Sequence, residues 1–236
     1  AFQSPDIEVL GLTTVFGNVP VTMAAQNALT LCEIAGKDIP VTKGVGMPWV
    51  GPESTYAHFV HGEYGFGHIK PEAPKTELDP RSSAQFIVDM ARKYPGEITI
   101  VAIGPLGNLA LALRLEPELP KLVNGVSIMG GAAFVPGNVT PVAEANIWND
   151  ANAAEIVFAA DWELTMFGLD VTNFTPFSPE FVEKLEDKNN TLGGFVKESA
   201  QFYMDFYSQN REDRVCFFHD AFPIAHLRHP ELFELT

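Results

Sequence analysis

Short apolar runs rich in β-branched residues alternate with stretches of helical spacing along this chain, and the runs end in glycine-bearing turns. Residues 7–15, 98–103, 126–129 and 164–167 have the length and composition of buried strands, whereas residues 22–35, 109–113 and the segment after Asp150 repeat apolar residues at helical spacing. Gly36 closes the first helical stretch, and Ser178-Pro179 supplies an N-cap and a first-turn proline for another that runs to about Leu185. Strand, helix and strand in alternation require right-handed crossovers. The pattern therefore predicts an α/β fold: an open, largely parallel (mixed) sheet flanked by helices, Rossmann-like in arrangement.

Ligands in open α/β sheets bind beyond the carboxyl ends of the strands. Gly17-Asn18, Gly104-Pro105-Leu106-Gly107 and Met129-Gly130-Gly131 all fall at predicted strand ends. A chain of 236 residues, 46% hydrophobic and 19% charged, fills one domain, 1–236, with no repeat, low-complexity tract or linker. A formal net charge of -15 excludes nucleic acid and anionic lipid as partners, because both need a basic surface. A neutral or weakly charged small molecule fits better. Cys32 and Cys216 lie in apolar surroundings without metal or redox spacing and read as buried, reduced thiols. With no signal peptide and no apolar run long enough to cross a bilayer, the expected location is cytoplasmic.

Two segments carry chemistry. Residues 137–150, Gly-Asn-Val-Thr-Pro-Val-Ala-Glu-Ala-Asn-Ile-Trp-Asn-Asp, bring Asn138, Glu144 and Asn146 together. They form either a solvated turn or a set of paired donors and acceptors for the hydroxyls of a sugar. His219-Asp220 sits among apolar residues, where a carboxylate needs a cation, a dense set of donors or a helix N-terminus. Asp220 is either the cap of the following helix or a ligand, and His219 either a satisfied core residue or a proton donor with an ordinary pKa near 6.5. Tyr203 and Tyr207, one helical turn apart, are either a core stripe or ligand contacts. His58, His61 and His68 are spaced too irregularly for a zinc pattern, and His226 and His229 read as surface residues at a helix end.

Taken together, these motifs resemble the inosine-uridine-preferring nucleoside hydrolase family nearly end to end. The resemblance rests on Gly137-Asn138 with Ala143-Glu144-x-Asn146, His219-Asp220, residues 8–18 (Glu-Val-Leu-Gly-Leu-Thr-Thr-Val-Phe-Gly-Asn) and Val60-His61-Gly62 with Gly65 and Gly67. Ile103-Gly-Pro-Leu-Gly-Asn-Leu-Ala110 and Ser127-Ile-Met-Gly-Gly131 complete it. One departure matters. The family's Asp-rich signature precedes the segment that begins here at Ala1 and is absent, and the chain also stops early at Thr236, so it reads as incomplete at both ends.

The resemblance implies hydrolysis of the N-glycosidic bond of ribonucleosides, of inosine/uridine type, with one calcium ion (Ca2+) as cofactor. It assigns metal ligation to Asp220 and the Gly107 carbonyl, where the family usually has Thr, and proton donation to the departing base to His219. Asn18, Met129, Asn138, Glu144 and Asn146 would bind ribose; His61, Tyr203 and Tyr207 would face the base, His61 from a loop at residues 54–67 that closes over substrate. The remaining ligands and the water-activating Asp belong to the missing signature, so residues 1–236 alone are expected to hold calcium poorly and to lack activity. A homodimer or homotetramer is implied as well. The alternative expectation is a noncatalytic nucleoside-binding or scaffold derivative that has lost the metal site.

Overall fold

The computed structural model describes residues 1–51, 55–185, 191–209, 211 and 213–236. In chain order, β1 (Leu12–Thr14), α1 (Val21–Ile34), β2 (Val41–Lys43), α2 (His58–His61) and α3 (Ser83–Lys93) lead to β3 (Thr99–Ala102). Next come α4 (Gly107–Leu115), α5 (Leu119–Leu122), β4 (Gly125–Met129), α6 (Ala145–Asn149), α7 (Ala151–Phe158) and β5 (Leu164–Phe167). The described elements close with α8 (Leu169–Thr172), α9 (Pro179–Glu183), α10 (Thr191–Ser208), α11 (Ala221–Arg228) and a 3-10 turn at Pro230–Leu232.

Every strand ladder is parallel, as the alternation predicts. β4 lies between β3 and β5, paired through Val126↔Leu164 and Thr99↔Gly125, and all five of its residues are buried. A strand covered on both faces has no polar side, which is why residues 125–129 show no alternation. Ile128 is fully buried in a cluster with Leu106, Leu109, Val126 and Val157 that joins the sheet to α3, α4, α5 and α7. Truncating such a side chain to Ala costs about 2–5 kcal/mol.

Among the described residues the strands pair in two parallel groups, β1-β2 and β3-β4-β5. A cavity of about 960 Å³ is bounded by residues of both groups, Leu10 and Leu12 on one side and Thr99, Val101 and Ile103 on the other, with Asp220 in its wall. The predicted strand at residues 7–15 is shorter in the structure. Only Leu12–Thr14 finds a ladder partner, with bonds from Leu12 N–H to Pro40 O (2.9 Å) and Phe16 N–H to Val45 O (3.0 Å) at its ends.

Several elements lie outside the sequence expectations, β2 and α3 among them. β2 is three residues long, below any periodic signal. α3 does carry a legible start, because the Ser82 hydroxyl accepts from Gln85 N–H (3.2 Å), and a basic end in Arg92 and Lys93. Ser178 caps α9 as expected, with Phe181 N–H donating to its hydroxyl. Both cysteines are buried and free, Cys32 beside Leu29 and Val41, and Cys216 beside Val182 and Met204.

Candidate active site

Residues 137–150 fold around the Glu144 carboxylate. Glu144 caps α6 and is 3% exposed; its Oε2 accepts from Gly131 N–H (2.9 Å), Asn146 N–H (2.9 Å) and Ile147 N–H (3.2 Å). Burial pushes its pKa up, and the three backbone donors oppose that rise. The Asn146 amide donates to the Met129 carbonyl (3.0 Å) and lies 3.4 Å from the Met129 sulfur, which fixes it to the buried end of β4. Asn138 Oδ1 accepts from Ala145 N–H (2.9 Å). The solvated-turn reading thus fails for Glu144 and holds in part for Asn138, which is exposed. Each residue is anchored to backbone by one polar atom, and Glu144 Oε1, Asn146 Oδ1 and Asn138 Nδ2 stand outside those bonds.

Across the molecule, α10 and the turn into α11 build an aromatic and imidazole array. Tyr203 and Tyr207 lie one turn apart on α10 with their hydroxyls 3.2 Å from each other, and the Tyr207 hydroxyl is 3.3 Å from His219 Nε2. His219 Nδ1 is 2.7 Å from the Thr172 hydroxyl, and Phe217 stacks on the His219 ring at 5.7 Å. His61, at the end of α2, stacks on Tyr203 at 5.4 Å and 20°. The tyrosines are therefore joined to histidine rather than forming a simple core stripe. Burial pushes the hydroxyls of both tyrosines up.

Both imidazoles depart from the ordinary histidine value. Burial lowers His219 from 6.5 to about 4, and His61 falls to about 4 through burial and then the His219 charge. In this environment both are neutral at pH 7. His226 also departs from expectation, since it packs on Phe167 (5.3 Å) and Phe233 (5.4 Å) rather than standing free at the surface; His229 does lie exposed, 3.2 Å from Glu231. The loop carrying His61 packs on α10 through Phe59 against Phe206 and Phe66 against Phe195. Gly62 and Gly67 both have positive φ there, and a Cβ on Gly62 would collide with the Gly67 carbonyl, so the turn demands glycine. Ser54, where that expected loop starts, lies outside the described residues.

Asp220 precedes α11, yet its side chain makes no capping bond. This removes the cap reading. Asp220 is exposed on the cavity, within reach of the Glu144 charge; desolvation by the surrounding walls and then that charge push its pKa up to about 7. Water in the cavity moderates that effect. The chemistry of a hard oxygen donor without a protein partner suits a hard cation. Gly107, the other expected ligand, is buried as the first residue of α4, where the helical ladder takes one lone pair of its carbonyl and leaves the second. One carboxylate and one carbonyl fall far short of the six to eight oxygens calcium takes. Among the described residues, no group of three or more His, Cys, Asp or Glu comes together to hold a metal. The described residues therefore do not make a complete calcium site.

Asn18 is exposed at the turn after β1, where its carbonyl accepts from Ala57 N–H (3.1 Å) and ties that turn to the His61 loop. Three structural residues escape the sequence reading. Buried Asn108 joins the ends of β1 and β2 to α4, accepting from Val45 N–H (2.9 Å) and donating to the Thr14 carbonyl (2.8 Å). Asp150, 2% exposed, caps α7 by accepting from Ala153 N–H and keeps Oδ2 unpartnered beside Gly107. Thr172, fully buried, holds His219 from 47 positions away. Asn108 was visible in the Gly-Pro-Leu-Gly-Asn motif and Asp150 at a helix start; nothing local marks Thr172.

Comparison with known proteins fits this geometry. The family model described as inosine-uridine preferring nucleoside hydrolase matches residues 1–236. The chain is 38% identical over 234 residues to a probable uridine nucleosidase 1 of Oryza sativa subsp. japonica, covering 99% of this chain and 72% of that protein. It superposes on a solved plant nucleoside hydrolase with a TM-score of 0.94 at 34% identity, over 99% of this chain and 74% of the other. A purine-preferring ribonucleoside hydrolase from Gardnerella vaginalis gives a TM-score of 0.93 at 30% identity, over 98% and 75%.

Proposed function

Because the chain belongs to the inosine-uridine preferring nucleoside hydrolase family, matched over residues 1–236, we propose that it hydrolyses the N-glycosidic bond of inosine and uridine with the aid of calcium. Nucleoside hydrolysis itself follows from the family; the choice of base and of metal is our proposal. The observation that carries it is His219 held at both ring nitrogens beside Asp220, a carboxylate with no capping bond that faces a cavity.

In this reading a water oxygen bonds to the anomeric carbon as the carbon–nitrogen bond breaks and its electron pair leaves with the base. Charge builds on the departing base and raises the proton affinity of the neighbouring imidazole, so that His219 takes up a proton from solvent; the imidazolium then passes its Nε2 proton to the base and returns to the neutral form. His61 and Tyr203, stacked together, offer the base a flat surface. Glu144 Oε1, Asn138 Nδ2 and Asn146 Oδ1 take ribose hydroxyls, with Met129 under the sugar and Asn18 near the diol. Contacts that tighten as the sugar flattens lower the barrier more than uniform binding does.

Calcium would take Asp220 and the Gly107 carbonyl together with oxygens outside this set, and when bound it would supply a more acidic water. The resemblance gives the water's proton to an Asp of the Asp-rich stretch, which residues 1–236 do not contain. The same reading assigns a cytoplasmic location and a homodimer or homotetramer, tested by fractionation and light scattering. A second reading, a noncatalytic nucleoside binder, is favoured by the absence of a complete metal cluster among the described residues. Ribose release from inosine and uridine, by the intact natural protein and by residues 1–236, with and without a chelator, separates them. Chelator-sensitive release supports the hydrolase; nucleoside binding without release supports the binder.

A further inference from the structure

His219 is fixed by two hydroxyls of different character. The Tyr207 hydroxyl sits 3.3 Å from Nε2 and belongs to a chain that continues to Tyr203. The Thr172 hydroxyl is closer to its nitrogen, at 2.7 Å from Nδ1, and fully buried. Nothing about Thr172 is free to drift. Its N–H donates to the Gly168 carbonyl (3.1 Å), its carbonyl accepts from the Thr175 hydroxyl (3.3 Å), and its branched side chain has few rotamers.

The element that carries Thr172 also reaches the sugar side. Leu169 N–H donates to the Gly131 carbonyl (2.9 Å), and the Asp170 carboxylate accepts from Ala133 N–H (2.9 Å) and Phe134 N–H (2.7 Å). Gly131 N–H in turn donates to Glu144. The four residues of α8 thus fix the loop after β4 and the ring of His219 in one frame. A ring nitrogen held at a buried hydroxyl selects which face and which nitrogen the imidazole turns to its substrate.

We propose that Thr172 is the positioning residue of the proton donor: its hydroxyl holds Nδ1 closely at 2.7 Å, whereas the Tyr207 hydroxyl holds Nε2 only at 3.3 Å and can yield to substrate, so that Nε2 is the nitrogen that delivers the proton to the departing base, in register with the ribose held by Glu144 and Asn146. This rests on the acid role given to His219 above. Thr172 touches no substrate and acts only through His219.

The test uses the intact natural protein with inosine and with p-nitrophenyl riboside, whose leaving group departs without protonation. Thr172→Val keeps the shape and removes the hydroxyl. The expected result is a fall in kcat on inosine of about five- to tenfold, the scale of one lost hydrogen bond, with KM little changed. Thr172→Ser should restore most of the rate. Neither variant should slow p-nitrophenyl riboside, and Thr172→Val should add nothing to His219→Ala. Should the Val variant fail to fold, Thr172→Ser against Thr172→Ala, which differ by the hydroxyl alone, gives the same comparison. Equal losses on both substrates, or full rate on inosine without the hydroxyl while His219→Ala is slow, would overturn the positioning role. Full rate in His219→Ala would instead overturn the acid reading beneath it.

Discussion

The two halves of the site are wired in opposite ways. Asn18 apart, the sugar side draws on one stretch, Met129 to Asp150, and its side chains are tied to backbone: Glu144 to three N–H groups, Asn146 to the Met129 carbonyl, Asn138 to Ala145. The base side draws on residues 61, 172, 203, 207 and 219, and its polar links run from side chain to side chain. Backbone donors cannot be changed by substitution, whereas hydroxyl and imidazole partners can. The contrast teaches that this fold keeps its sugar contacts fixed by local geometry and leaves its acid and base contacts to tertiary packing, where they are open to adjustment.

The sharpest test is His219→Ala. If the base side works in the reaction rather than in the fold, this variant lowers turnover of a purine nucleoside by about 10² to 10⁴ while the melting temperature stays close to that of the natural protein. Equal rates in the two proteins would remove the chemical half of the contrast. Asp220→Ala should remove calcium and activity together, which metal titration alongside the assay would reveal.

Glu144→Ala addresses the other half. It leaves three backbone N–H groups without their acceptor, and at about 1–3 kcal/mol for each buried unpaired group the loss in urea unfolding should reach about 3 kcal/mol or more. A loss below about 1 kcal/mol would mean that the carboxylate does not organise the segment, and the two sides would then differ less than their bonding suggests.

Tyr207→Phe removes a neutral hydroxyl from the line to His219 and should slow turnover only about two- to tenfold. A loss as large as that of His219→Ala would make the array a single unit instead of an adjustable one. The smallest expected effect is on pH. His61 and His219 have folded values near 4, below the unfolded value of 6.5, so between those limits the unfolded chain binds more protons and stability falls as pH drops. Asp220, raised to about 7 from 3.8, acts in the opposite direction over its own window, so the informative quantity is a difference between proteins. His61→Gln should lessen the acid-side loss of stability between pH 6.5 and 4, by at most about one proton, as read from unfolding midpoints. An unchanged slope would put His61 in water rather than against Tyr203.

Local sequence carried the sugar side well. Asn138, Glu144 and Asn146 fall within nine residues, and a turn that short leaves few ways to place three polar groups, so their grouping was legible before any fold was known. The acid was legible only as His219-Asp220 in an apolar setting. Whether Asp220 capped its helix or faced a cavity depended on the angle at which α11 leaves residue 220, which the residues themselves do not fix. The ordinary value of 6.5 for His219 gives way to a lower one because burial is a property of what packs around a group, here Phe217, Tyr207 and Thr172 from separate segments.

The alternation of apolar runs and helical stretches by itself determined a parallel α/β architecture, because the handedness of crossovers leaves little else for such a pattern to become. It also determined which turns meet at the strand ends. Only the tertiary structure decided that the strands pair in two groups with a cavity beside Asp220, and that Thr172 stands against His219 across 47 positions. The reason is range: periodicity and turn chemistry act over a few residues, whereas the contact of two buried hydroxyl and imidazole groups is set by how whole layers close on one another.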